Sequence, residues 1–280
     1  MERKAAGCLI AATLLGLSAY VQADETGMTA RDAAIEAGGE SPHHLSGNVG
    51  VYSDYLFRGI SYAHGHVTAQ AAIDYVHDSG FFVGMAYTGV NKDSIYGNTY
   101  EIDLYGGYQT TFANGLTLTT GLMEYYYPQN KEYAGQSPNV TEVNVALDYR
   151  QFNLKYSHSL TDWFGANTVS VGNTMIGRHM TGEGDSKGSH YIEASYVTQL
   201  PGTDINCVFH VGHQVVRNYH VADYTDYSIG INKDFSVGSL KGWNAGLSYV
   251  MVDANDDWYV ANDGYKTAQN KFFGYIRLSM

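Results

Sequence analysis

The sequence is poor in proline, cysteine and charge. It has four prolines and two cysteines in 280 residues, and charged side chains make up 16% of the chain. Beyond residue 23 no apolar run reaches the ~18 residues that a membrane-spanning helix needs, which excludes a helical span there. Acidic groups outnumber basic ones, 28 to 16, which argues against nucleic acid as a partner. Neither Gly-x-Ser-x-Gly nor His-Glu-x-x-His occurs. The eleven histidines are scattered. His43-His44 and His64-Gly65-His66 have no second ligand pair at metal-site spacing, and His158-Ser159 and Ser189-His190 are only sequence neighbours. No catalytic residue, metal or cofactor is implied.

The first 23 residues read as a secretory signal. Arg3 and Lys4 form a basic start, residues 5–20 are uncharged and mostly apolar, and Val21-Gln22-Ala23 fits the small-residue pattern before a cleavage site. Sixteen residues span only ~24 Å as a helix, short for a ~30 Å hydrocarbon core. Removal of this segment leaves 14 basic and 27 acidic groups, and leaves Cys207 without a partner, so an intramolecular disulfide is excluded. Residues 24–44 show no alternation and read as a periplasmic leader. Within it Thr29 and Gly38 frame a two-turn helix, and a leader folded into the lumen as a plug is the alternative.

What the chain has in abundance is tyrosine (25) and glycine (32), together with a period-2 pattern from residue 45 onward. Val67, Ala69, Ala71, Ile73 and Tyr75 alternate with Thr68, Gln70, Ala72 and Asp74; Val143, Val145, Leu147 and Tyr149 alternate with Glu142, Asn144, Ala146 and Asp148. In a strand such sets lie on opposite faces. Twelve strands are expected, near 45–59, 66–77, 81–90, 98–112, 115–127, 140–149, 152–160, 189–200, 203–216, 223–235, 240–252 and 270–280. Connections after even strands are tight and carry turn chemistry, as in Asp78-Ser79-Gly80 and Pro201-Gly202. Several after odd strands are long: residues 128–139, 161–188 and 253–269. Short turns on one side and long loops on the other are the asymmetry of an outer-membrane barrel. A secreted β-sandwich would need no such alternation.

If the apolar sets face lipid, the polar sets line the lumen, because charge facing hydrocarbon costs several kcal/mol. The expected luminal or constriction residues are Asp54, Arg58, Asp74, Glu101, Asp103, Glu142, Asp148, Lys155, Glu193, Lys271 and Arg277. Asp54 and Arg58, four apart on the first strand, are expected on one face, paired directly or through a neighbouring strand. These charges either fill the interior by pairing or leave a wet pore whose acidic surplus favours cations. The tyrosines are expected in aromatic girdles at both interfaces.

Ser53-Asp54-Tyr55-Leu56-Phe57-Arg58-Gly59-Ile60-Ser61 resembles the opening signature of the TorF-type porins, proteobacterial outer-membrane barrels first catalogued as conserved hypothetical proteins. Asp74-Tyr75-Val76-His77-Asp78-Ser79-Gly80-Phe81-Phe82-Val83-Gly84, Glu101-Ile102-Asp103-Leu104-Tyr105-Gly106-Gly107-Tyr108 and Tyr125-Tyr126-Tyr127-Pro128 add to the match. The resemblance covers residues 45–160 best. It implies an outer-membrane barrel with a pore, and brings neither a substrate nor a catalytic residue. The chain departs from the pattern at Thr88-Gly89-Val90-Asn91. It also ends Leu278-Ser279-Met280, where outer-membrane barrels commonly end in an aromatic residue read by the assembly machinery.

The resulting expectation is an all-β, up-and-down transmembrane barrel at residues 45–280, in the outer membrane of a Gram-negative bacterium. Its partners would be outer-membrane lipid, the barrel-assembly machinery and small solutes, cations among them. The function expected is a porin-like channel, not an enzyme. A lipid-acting barrel enzyme and a non-conducting barrel that binds a partner through its long loops are the alternatives.

Overall fold

The computed structural model describes residues 41–132, 134–172, 182–261 and 263–280. The leader helix expected near Thr29, and the signal segment, lie outside the described residues.

Twelve strands form the wall: β1 (His43–Tyr52), β4 (Thr68–His77), β5 (Phe81–Gly89), β6 (Tyr100–Thr111), β7 (Thr117–Tyr126), β8 (Val140–Tyr149), β9 (Phe152–Ser159), β10 (His190–Gln199), β11 (Ile205–Val215), β12 (Tyr224–Val237), β13 (Leu240–Asp253) and β14 (Lys271–Ser279). Two further short strands, β2 (Leu56–Phe57) and β3 (Ile60–Ser61), pair only with each other. Each wall strand is antiparallel to its sequence neighbour in the wall, and β1 closes the ring on β14 with Asn48 opposite Ser279 and Tyr52 opposite Tyr275. Closure removes both sheet edges, so every backbone group of the wall can find a partner without water. Met280 takes part, exchanging backbone hydrogen bonds of 2.8 and 2.9 Å with Gly47. Among the described residues no helix is long and apolar enough to cross a membrane.

The alternation decides which way each strand faces. Leu45, Val49, Val51, Ile73, Leu104, Leu147, Leu154, Ile192, Ile229, Leu247 and Phe272 are exposed on the outside of the barrel, Leu45 at 70% and Phe272 at 71%. A continuous apolar exterior of this size on 8–14-residue strands matches the length and surface of a membrane-spanning barrel. Their neighbours Thr68, Gln70, Glu101, Asp103, Glu142, Asn144 and Asp148 point inward and are buried.

The tight connections are where they were expected. Gly80 closes the β4–β5 turn at φ +101°, where a Cβ would sit 2.1 Å from the Gln109 carbonyl oxygen, so only glycine fits. The remaining connections gather at the opposite end of the barrel.

Three expectations are corrected. The first strand ends at Tyr52, not at residue 59, because the chain there leaves the wall. His43 and His44 belong to β1, opposite His77 and Val76, and not to a leader. The tyrosines are not confined to girdles. Tyr87, Tyr108, Tyr126, Tyr149 and Tyr227 face outward, but Tyr52, Tyr55, Tyr125, Tyr127, Tyr191 and Tyr224 fill the interior. A closed twelve-stranded wall has room for large side chains inside, and a phenol meets both the apolar and the hydrogen-bonding demands of that space.

Candidate functional site: a hairpin across the lumen

Tyr52 is opposite Thr68 on the next wall strand, so two residues would suffice to join them. The chain inserts fifteen instead, and residues 53–63 fold into the barrel. After Ser53 makes a last wall contact to the Gly274 carbonyl oxygen, β2 and β3 form a miniature hairpin turned by Arg58 (φ +49°) and Gly59 (φ +81°). Two successive positive φ values are the requirement of a tight two-residue hairpin turn. At Gly59 a Cβ would come 2.8 Å from Val252 Cγ2 and 2.9 Å from Asp226 Cβ, so the tip presses directly against β12 and β13.

Polar arms hold the hairpin to the wall on several sides. Asp54 accepts hydrogen bonds from the Tyr55 backbone N–H (2.8 Å) and the Ser61 hydroxyl, and pairs with Lys271 of β14 at 2.9 Å. Tyr55 donates its hydroxyl to Glu101 of β6 at 2.6 Å, and Tyr127 donates to the other oxygen of the same carboxylate. Arg58 forms a forked pair with Glu142 of β8, Nη1 to Oε1 at 3.1 Å and Nη2 to Oε2 at 2.7 Å. It also donates to Gln214 of β11 at 2.8 Å and lies over the Tyr191 ring of β10, 4.3 Å from its centroid. Planarity suits a guanidinium to do all three at once. Apolar packing completes the insertion: Phe57 stacks on Tyr62 and meets the edges of Tyr125 and Phe164 at 5.1–5.2 Å.

Asp54 and Arg58 are therefore buried as expected, but they neither share a wall strand nor pair with each other. The turn at Arg58 sends the two side chains to opposite parts of the wall. The other nine expected residues all sit on wall strands with the inward polar sets. Lys155 and Glu193 pair across β9 and β10 at 3.2 Å; Asp74 accepts from Tyr105 at 2.5 Å, and Asp148 from Asn153 at 2.8 Å. Asp103 lies buried two residues along the same face from Glu101, and Arg277 is buried on β14.

Sequence reasoning missed Asp226, His210, Gln214 and Tyr55. His210 Nε2 contacts Asp226 at 3.1 Å, its Nδ1 contacts the Ser195 hydroxyl at 3.1 Å, and Tyr191 donates to Asp226 at 2.7 Å. The order serine–histidine–aspartate has the sequence of roles of a hydrolase triad. In this barrel it lies along the inner wall, on three strands paired side by side in the ladder. Its visible work is to bind β10, β11 and β12 beneath the hairpin tip. Asp226 was legible, since alternation in β12 groups it with Tyr224 and Ser228. Among the described residues no cluster of three or more histidine, cysteine, aspartate or glutamate side chains could hold a metal.

The fold and site thus define a closed twelve-stranded antiparallel barrel with an inserted hairpin. The chain belongs to the family described as bacterial protein of unknown function (Gcw_chp), whose model matches residues 36–279. No curated protein matches the sequence. Among solved structures, the KdgM porin is similar at 8% identity and a TM-score of 0.48, covering 84% of this chain and 99% of its own. The NanC porin gives 10% identity and a TM-score of 0.48 over 84% and 98%. The Acinetobacter baumannii outer membrane protein Omp33 gives 8% identity and a TM-score of 0.40 over 84% and 95%.

Proposed function

We propose that this protein is an outer-membrane channel for small solutes, in which the hairpin of residues 53–63 sets what passes. The observation that carries the proposal is the hairpin itself: a segment that the wall does not need, hung inside the lumen on charged and phenolic arms. Rings of charge on a narrow path sort solutes, and loops folded inward are a common way for a barrel to restrict its lumen. The TorF-type resemblance of residues 53–61 supports the reading, since that signature is the hairpin. The signal-like first 23 residues and the apolar exterior support export to the outer membrane.

A second reading, a non-conducting barrel that engages a partner through its loops, is favoured by one observation: inward groups such as Glu101, Asp103, Thr117 and Thr119 are fully buried. Proteoliposome swelling separates the two. The channel reading predicts swelling in small uncharged solutes that falls off as solute size rises. No swelling for any solute, from protein that shows heat-modifiable migration and fractionates with the outer membrane, leaves the second reading. Recovery in the soluble periplasm would end both.

A further inference from the structure

The outward rows of β9, β10 and β11 change character toward the end where the long connections lie. Their middle stretches are apolar, with Leu154, Ile192 and Val211 exposed. Toward the long connections they carry Tyr156, His158, His190 and His213, with His158 opposite His190 across the ladder and His213 opposite Ile192. Just beyond the strands come Lys187 and Arg217, both exposed. We infer that this outer face binds the headgroup of a phosphorylated glycolipid in the outer leaflet. The inference rests on the outer-membrane reading above and is independent of conduction.

Three observations carry it. The first is the order of the layers. Apolar side chains, then amphipathic rings, then fixed positive charge follow the environments that a lipid presents from its chains to its phosphates. Charge facing hydrocarbon is costly, and Lys187 and Arg217 lie past the apolar rows. The second is convergence. Arg217 donates from Nη1 to the Lys187 carbonyl at 2.9 Å, and its Cδ and His158 both lie within 4 Å of the position a Cβ on Gly188 would take. Two bases and a histidine from three segments thus share one patch. The Tyr156 hydroxyl lies 3.1 Å from His158 Nδ1, and the Thr225 hydroxyl 2.9 Å from His213 Nδ1. These contacts fix the two rings and leave each Nε2 for an outside partner, such as a phosphate oxygen.

The third is charge complementarity. Asp162, the acid next to Lys187, is spent on the Ser186 and Lys187 backbone N–H groups at 2.9 and 3.2 Å and on the Asn167 amide at 2.9 Å. Glu183 and Asp185 stand farther from the wall. The β9–β10 and β11–β12 connections climb side by side, with Arg217 on the Lys187 carbonyl, Asn218 on that of Asp185 and Tyr219 on that of Gly184. The bases are therefore the charges nearest the apolar rows. At the same end of the barrel, the outward rows of β7 and β13 carry the acids Glu124 and Asp253 instead. An anionic headgroup meets opposite charge at β9–β11 and like charge at those two strands.

Native mass spectrometry of the full chain in mild detergent, titrated with diphosphoryl lipid A, tests the site. The parent protein should retain the lipid saturably, and Lys187→Gln with Arg217→Gln should weaken retention at least about tenfold. Lys92→Gln with Lys131→Gln removes the same charge from other connections and should change nothing. His158→Gln with His190→Gln keeps the Arg217 contacts and should also weaken retention, so the site stays testable if the first variant does not fold. Heat-modifiable migration reports folding in each. Equal retention by the parent and a folded patch variant overturns the site. Equal retention of lipid A stripped of both phosphates overturns the phosphate as the recognised group. Displacement of the lipid by inorganic phosphate at equal concentration overturns the lipid as the occupant. A folded barrel from the outer membrane that retains no lipid A refutes this site alone, whereas recovery in the soluble periplasm refutes the outer-membrane reading beneath it.

Discussion

Arg58 and Glu142, 84 residues apart in the sequence, meet inside the barrel through two parallel hydrogen bonds of 3.1 and 2.7 Å. One belongs to the tip of an inserted hairpin and the other to the wall, so this pair ties the lumen's contents to its container. Both side chains are almost completely removed from solvent.

Breaking such a pair on one side leaves an uncompensated buried charge. Arg58→Ala should destabilise the barrel by about 3–5 kcal/mol, read from urea unfolding in detergent. Replacing both partners, Arg58→Met with Glu142→Met, should recover most of that loss, because no charge is then stranded. A double variant as unstable as the single one would show that the guanidinium acts through Tyr191 and Gln214 instead.

Gly212 of β11 lies under the Tyr191 hydroxyl, and a Cβ there would come within 1.8 Å of it. Gly212→Ala should therefore expel the Tyr191 ring and break its 2.7 Å bond to Asp226. The expected cost is about 1–3 kcal/mol from overpacking and a lost buried hydrogen bond. Tyr191→Phe in the same background should add little further loss. Full additivity of the two changes would refute the clash.

Among the described residues the inward face carries nine acids (Asp54, Asp74, Glu101, Asp103, Glu142, Asp148, Glu193, Asp226 and Asp234) against Arg58, Lys155, Lys271 and Arg277. Any path through this lumen should prefer cations, more so at low salt, where screening is weaker. Reversal potential under a salt gradient measures this. Glu101 anchors Tyr55 and Tyr127, so its replacement would loosen the hairpin as well as remove charge. Asp148→Asn, on the wall away from those arms, is the cleaner variant and should reduce the preference. Anion preference in the parent protein would show that the four bases set the field.

The long connections should face the cell exterior. In a Cys207→Ser background, Lys187→Cys in the β9–β10 connection should react with a membrane-impermeant maleimide on intact cells. Ser239→Cys, in the β12–β13 turn at the other end, should react only after the outer membrane is opened. The reverse pattern would invert the orientation.

The wall was legible in the sequence because its period-2 alternation is a local record of a two-sided environment. Residues 140–149 were delimited without error, and the tight turns announced themselves through Gly80, Asn114 and Gly202. The hairpin was not legible, for a physical reason. Residues 53–61 read as a continuation of β1, since Asp54, Leu56 and Arg58 keep the right spacing. The wall strand ends at Tyr52 although the spacing runs on, and the turn that folds the segment back rests on positive φ at Arg58 and Gly59, of which an arginine gives no warning. Inward tyrosines were missed for a related reason: alternation assigns a face only after one knows how much room the closed ring leaves inside.

Single-channel conductance of the parent protein and of a variant lacking the hairpin tests the central claim most directly. Because Tyr52 and Thr68 are cross-strand partners, residues 54–66 can be replaced by a short Gly-Asn turn without straining the wall. The account predicts small steps for the parent and steps several times larger, still cation-preferring, for the variant. Equal conductance in two folded barrels would contradict it.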